Sequence, residues 1–118
     1  MKNLKFFVKD IIEAMDKIEE FIGDITFEAF KTDDKTSSAV LRKLEIIGEA
    51  AKHISDNIRI KYPQIPWKEM AGMRDKLIHS YSKVDYKLVW MTIKERIPKV
   101  KPLIKKIMEW NKSNALSE

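Results

Sequence analysis

Apolar residues recur at steps of three and four along almost the whole chain, a spacing that suits one face of an α-helix and not the alternation of a strand. Leu4, Phe7, Val8, Ile11, Ile12, Met15, Ile18 and Ile22 form the first such stripe, which Gly23-Asp24 should stop. A short apolar stretch from Ile25 to Phe30 reads as a helical turn, broken by Thr32-Asp33-Asp34. A second long helix is expected to carry Leu41, Leu44, Ile47, Ala51, Ile54 and Ile58 on one side. Gly48 lies inside that stripe, where glycine costs up to about 1 kcal/mol against alanine. Its expected use is close approach of another helix.

Tyr62-Pro63-Gln64-Ile65-Pro66 is the clearest punctuation, because each proline biases the residue before it away from the helical region. A third helix is expected from about Pro66 to His79, with Trp67, Met70, Ala71, Leu77 and Ile78 turned inward. After a loop over Ser80 to Val84, Asp85 reads as an N-cap with Val84 and Val89 as a hydrophobic staple. The fourth helix carries Val89, Ile93, Ile97, Val100, Ile104 and Ile107, and Pro98 should kink or restart it. The fold expected is all-α, an antiparallel up-and-down bundle of four main helices with short extra helical segments. Residues 1–112 would form one domain and 113–118 a polar tail.

A chain of 118 residues can bury one core but not two. It has no cysteine, which excludes disulfides, a thiolate metal site and a cysteine nucleophile. Asp10, Glu13 and Asp16 interrupt the N-terminal apolar run on a helical period, against a signal peptide. No run approaches the roughly 18 apolar residues of a membrane span. A cytoplasmic protein is expected. The net charge of +5 is uneven. Residues 1–30 carry a net −3 and residues 91–118 a net +4, so a polyanion such as RNA would be drawn to the C-terminal half.

Two histidines, His53 and His79, are too few for a histidine-rich metal site, and there is no glycine-rich phosphate loop. What remains is Arg74, Asp75, His79 and Tyr81. Cutting RNA without a metal needs a group that moves protons near neutral pH, which histidine does. It also needs a cation matched to phosphate, which arginine supplies with its planar fork. Five residues at about 100° each put Arg74 and His79 roughly 140° apart around an ideal helix. Either the helix distorts, or a second chain completes the site. The bland alternative is an ordinary histidine, a surface arginine and a packing tyrosine.

The ordered series Ile46-Ile47-Gly48-Glu49-Ala50-Ala51-Lys52, Tyr62-Pro63-Gln64-Ile65-Pro66-Trp67, Gly72-Met73-Arg74-Asp75, His79-Ser80-Tyr81, Val84-Asp85 and Val89-Trp90 resembles the HepT-like branch of the HEPN superfamily. The resemblance runs over nearly the whole chain. It implies a homodimer whose paired segments form an endoribonuclease site needing neither metal nor cofactor. Arg74 would contact the scissile phosphate and His79 would act in proton transfer. Tyr81 matches the tyrosine that a nucleotidyltransferase antitoxin modifies with AMP, silencing the toxin. The position after the arginine is commonly asparagine in this family; Asp75 stands there here, and either weakens activity or tunes the arginine.

Glu49 reads equally as a supporting group or as a solvated carboxylate. Lys76, Lys94, Arg96, Lys99 and Lys101 are candidate RNA contacts, with Lys105 and Lys106 beside them, against plain solubility. Trp67 and Trp90 read as core or dimer anchors, and His53 as an exposed helix residue without a role. The leading expectation is a ribonuclease toxin. The alternative is a catalytically inactive helical dimer that binds a nucleotidyltransferase or a nucleotide. A third class, a structural adaptor, leaves the Arg-His-Tyr cluster unexplained.

Overall fold

A computed structural model describes residues 4–79 and 84–114, as backbone alone at Arg74, at 77–79 and at 111–114. All regular structure among them is helical: α1 (Leu4–Ile22), α2 (Phe27–Thr32), α3 (Asp34–Lys52), α4 (Asp56–Lys61), α5 (Trp67–His79), α6 (Tyr86–Met91), a π-helical turn (Thr92–Arg96) and α7 (Ile97–Asn114). The last three join into one rod, so four long elements make the bundle and α2 and α4 are the short pieces. None of the helices described is long and apolar enough to cross a membrane.

Each boundary has a local cause. Gly23 ends α1 with φ +45°, a left-handed conformation, and its N–H donates to the Glu19 carbonyl at 3.1 Å. The Thr26 hydroxyl accepts from Ala29 N at 3.1 Å to open α2. Asp33 opens α3, accepting from Thr36 N at 3.0 Å and from Thr36 Oγ1 at 2.8 Å. Asp85 opens α6, accepting from Leu88 N at 3.0 Å, as its position in the sequence predicts. Val84 packs against the core into which Val89 is buried.

One expectation needs correction. Ile54 and Ile58 are buried, but not on a second helix that runs through them. α3 stops at Lys52, and Ser55 caps the new helix α4 by accepting from Ile58 N at 3.4 Å. The Arg59 guanidinium turns back across this break, donating to the Ala51 carbonyl at 2.8 Å and the Ile54 carbonyl at 3.2 Å. The Ala51 carbonyl at the end of α3 and the Ile54 carbonyl just past it thereby meet a cation at the negative pole of the dipole. Apolar periodicity cannot see such a break, because both helices bury their isoleucines in the same core.

α3 packs against both α1 and α5, and α1 packs against α7. The core contains Val8, Ile11, Met15, Ile18, Phe30, Val40, Leu44, Ile65, Val89, Ile93, Ile104 and Ile107. Gly48 is buried on α3. The rod absorbs Pro98 by widening: the Ile97 N–H bonds to the Thr92 carbonyl five residues back, and α7 starts as the proline enters. A proline at 98 cannot donate to the Lys94 carbonyl, and its ring would crowd that carbonyl in a regular turn. Lys101 then locks the rod to α1, with Nζ 2.5 Å from both Asp16 Oδ1 and Glu19 Oε1.

Candidate active site

α5 is held at its start by an aromatic anchor. Trp67 is buried, its indole Nε1 donates to the Tyr62 carbonyl at 3.1 Å, and its backbone N–H bonds to Ile65 at 2.9 Å. The proline-rich approach therefore folds into a tight bend under Trp67. Buried as it is, this ring serves the core and not base stacking. Trp90 is half-buried against Phe27 and Phe30, with centroids 5.8 and 5.3 Å away.

From that anchor α5 continues as α-helix through Arg74 to His79. The distortion that could have brought these two positions onto one face is absent from the backbone described. At 100° per residue their Cα atoms fall on different sides of the axis. Ser80 to Lys83, and with them Tyr81, lie outside the described residues, as do the side chains of Arg74 and His79.

The neighbouring end of α3 brings charged side chains to this helix. Lys52 Nζ lies 3.1 Å from Asp75 Oδ1, joining residues 23 apart in sequence. Glu49 Oε2 lies 3.4 Å from His53 Nε2, and the His53 ring stacks on Phe7 at 5.0 Å and 10°. His53 is thus half-exposed, as expected, but it also closes α3: its N–H bonds to the Ala50 and Ala51 carbonyls. Sequence reasoning passed over Lys52 and Arg59, since no short spacing signals a contact across 23 residues or a cap reaching backwards.

A small cavity of about 70 Å³ lies beside α5, walled by Met15, Leu44, Ile47, Met70, Met73 and Ile97, with Glu69 and Arg96 also on its lining. It is far below the few hundred Å³ that small-molecule sites usually occupy. Among the described residues, no three His, Asp or Glu side chains converge as a metal site requires.

The candidate RNA-binding cations divide into two sets. Arg96 pairs with Glu69, and Lys101 is held by Asp16 and Glu19 with its side chain only 16% exposed. Lys76, Lys94 and Lys99 are exposed, as are Lys105 and Lys106, with Lys94 over the Trp90 ring at 5.5 Å. Among the described residues, no carboxylate pairs with these, so they can meet a phosphate backbone directly.

The Ribonuclease HepT-like family matches residues 11–107. A protein of Thermococcus cleftensis named probable ribonuclease HepT is 52% identical over 103 residues, covering 87% of this chain and 94% of its own. A protein of Methanocaldococcus jannaschii named as a candidate RNase is 49% identical over 108 residues, covering 92% and 93%. Another, from Caldanaerobacter subterraneus, is 40% identical over 112 residues, covering 95% of this chain and all of its own. No solved structure gives a match. Four long helices, α5 carrying Arg74 and His79, and identity sustained across nearly the full length agree: the chain belongs to the HepT-like ribonuclease family.

Proposed function

We propose that this protein is an endoribonuclease that works without metal through Arg74 and His79 at a homodimer interface. The observation that carries this reading is the position of both residues on α5 in a chain of the HepT-like ribonuclease family. The 2′-oxygen of the substrate attacks the adjacent phosphorus while the bond to the 5′-oxygen breaks. Arg74 holds the phosphate oxygens and offsets the charge that builds on them. His79 moves a proton, from the attacking hydroxyl or to the leaving oxygen. The regular course of α5 favours completion of each site by a second chain. Lys76, Lys94 and Lys99 would line the approach of the RNA backbone.

The same reading makes the protein the toxin of a toxin-antitoxin pair. Its nucleotidyltransferase antitoxin would join the Tyr81 hydroxyl to the α-phosphate of ATP, releasing pyrophosphate and leaving AMP on the toxin. Intact-mass measurement after co-expression with a nucleotidyltransferase of the antitoxin kind should show AMP-sized additions that map to Tyr81. Additions that map elsewhere remove this assignment.

Incubating the purified protein with total RNA in excess chelator tests the enzyme. Cleavage should be seen with the unmodified protein and fall at least a hundredfold in both Arg74→Ala and His79→Ala, on the order expected for loss of a positioned acid–base or charge-stabilising group. Equal inertness of wild type and His79→Ala after removal of AMP would leave the inactive binding dimer as the reading.

A further inference from the structure

We infer that Lys52 is a positioning residue of the proposed ribonuclease site, neutralising Asp75 so that a phosphate drawn to Arg74 is not repelled by the carboxylate beside it. This rests on the reading of α5 given above.

Asp75 follows Arg74 on α5, so a phosphate bound by the arginine comes within a helical turn of a carboxylate. Uncompensated, that carboxylate would compete for the same guanidinium and raise the local negative potential. Lys52 Nζ lies 3.1 Å from Asp75 Oδ1, which sets a positive charge directly against this carboxylate. The lysine stands on a fixed base, because the end of α3 is closed by the His53 N–H and by the Arg59 guanidinium on the Ala51 and Ile54 carbonyls. The pair is 39% and 49% exposed, so it adds little to stability yet lies open to a large polyanion. An exposed ion pair of small structural worth, tying a second helix to the position beside the phosphate-binding arginine, is placed to act on the charge of the site.

The test is a double-mutant cycle on the intact protein with two readouts: cleavage of a short RNA in chelator, and binding of a fluorescent 2′-O-methyl RNA that cannot be cleaved. Lys52→Met should weaken binding about three- to tenfold at 50 mM salt, an effect that fades as screening shortens the reach of exposed charges. It should leave kcat nearly unchanged, keep the circular dichroism spectrum of the wild type, and be repaired by Lys52→Arg. In the Asp75→Asn background, Lys52→Met should change binding less than twofold. An equal loss in both backgrounds makes Lys52 a direct RNA contact and overturns the inference, as does no loss in either. Arg74→Ala separates the two claims. If it binds and cleaves as wild type does, the placement of the site at Arg74 falls. If it loses both while Lys52→Met does not, only the role of Lys52 falls.

Discussion

Lys101 was read from the sequence as one of several cations facing RNA, yet its ammonium is held by two α1 carboxylates with most of the side chain covered. Charge is visible in a sequence, whereas the partner that already occupies it is not, when that partner lies 82 residues away. Hydrogen bonds donated to Asp16 and then to Glu19 raise the Lys101 pKa above its ordinary 10.5, against a smaller opposing effect of burial. A raised cation contributes stability that is fully present below the unfolded value and lost as pH climbs through the folded one. Lys101→Met should therefore lower the unfolding free energy at pH 7 by about 1–2 kcal/mol, discounted because both carboxylates remain half-open to water. Urea titrations should show the gap between variant and wild type closing above pH 10.5. A variant as stable as wild type at pH 7 would show that the lock contributes nothing. The proposed site residues were chosen by type: Arg74 as a group suited to phosphate and His79 as one suited to moving protons. What escaped notice was Lys52, whose bond to Asp75 exists only once α3 and α5 are side by side.

The helices themselves were mostly legible, because their ends are written in local chemistry. Gly23, Asp33 and Asp85 do at their boundaries what their side chains, or the lack of one, allow. The break between α3 and α4 was missed because Ser55 is an unremarkable cap inside an unbroken run of buried isoleucines. Likewise, Pro98 announced a disturbance but not its form, since a wider turn and a kink relieve the same clash. Asp33 offers a test at this scale. The Thr36 N–H and then the Thr36 hydroxyl bond its carboxylate and lower its pKa below 3.8. A depressed carboxylate contributes above its unfolded value, and the contribution goes as pH falls through the lower folded value. Asp33→Ala should thus reduce the melting temperature at pH 7 and have little effect near pH 2, as followed by circular dichroism. Equal effects at both pH values would mean the cap acts through something other than its charge.

At the scale of the molecule, the unsettled matter in the sequence was whether one chain holds a whole site. α5 remains α-helical from Trp67 to His79, which puts Arg74 and His79 on different sides of it. If Arg74 of one chain works with His79 of another, two dead variants should rescue each other. Arg74→Ala and His79→Ala proteins, unfolded together and refolded at equal amounts, should regain about a quarter of wild-type cleavage, since half the dimers are mixed and each mixed dimer holds one intact site. No regain would place both groups in the same chain.

The cavity beside α5 has a mechanical consequence. Met70 and Met73 of the proposed catalytic helix form part of the wall of an incompletely filled space of about 70 Å³, facing Met15, Leu44 and Ile97. Such space vanishes when a chain unfolds, so hydrostatic pressure drives the protein towards the smaller volume, with changes on the order of tens of mL/mol. Thioether side chains adapt to irregular space more readily than branched ones. The inner side of the helix that carries Arg74 and His79 is therefore a place where the fold can yield to pressure.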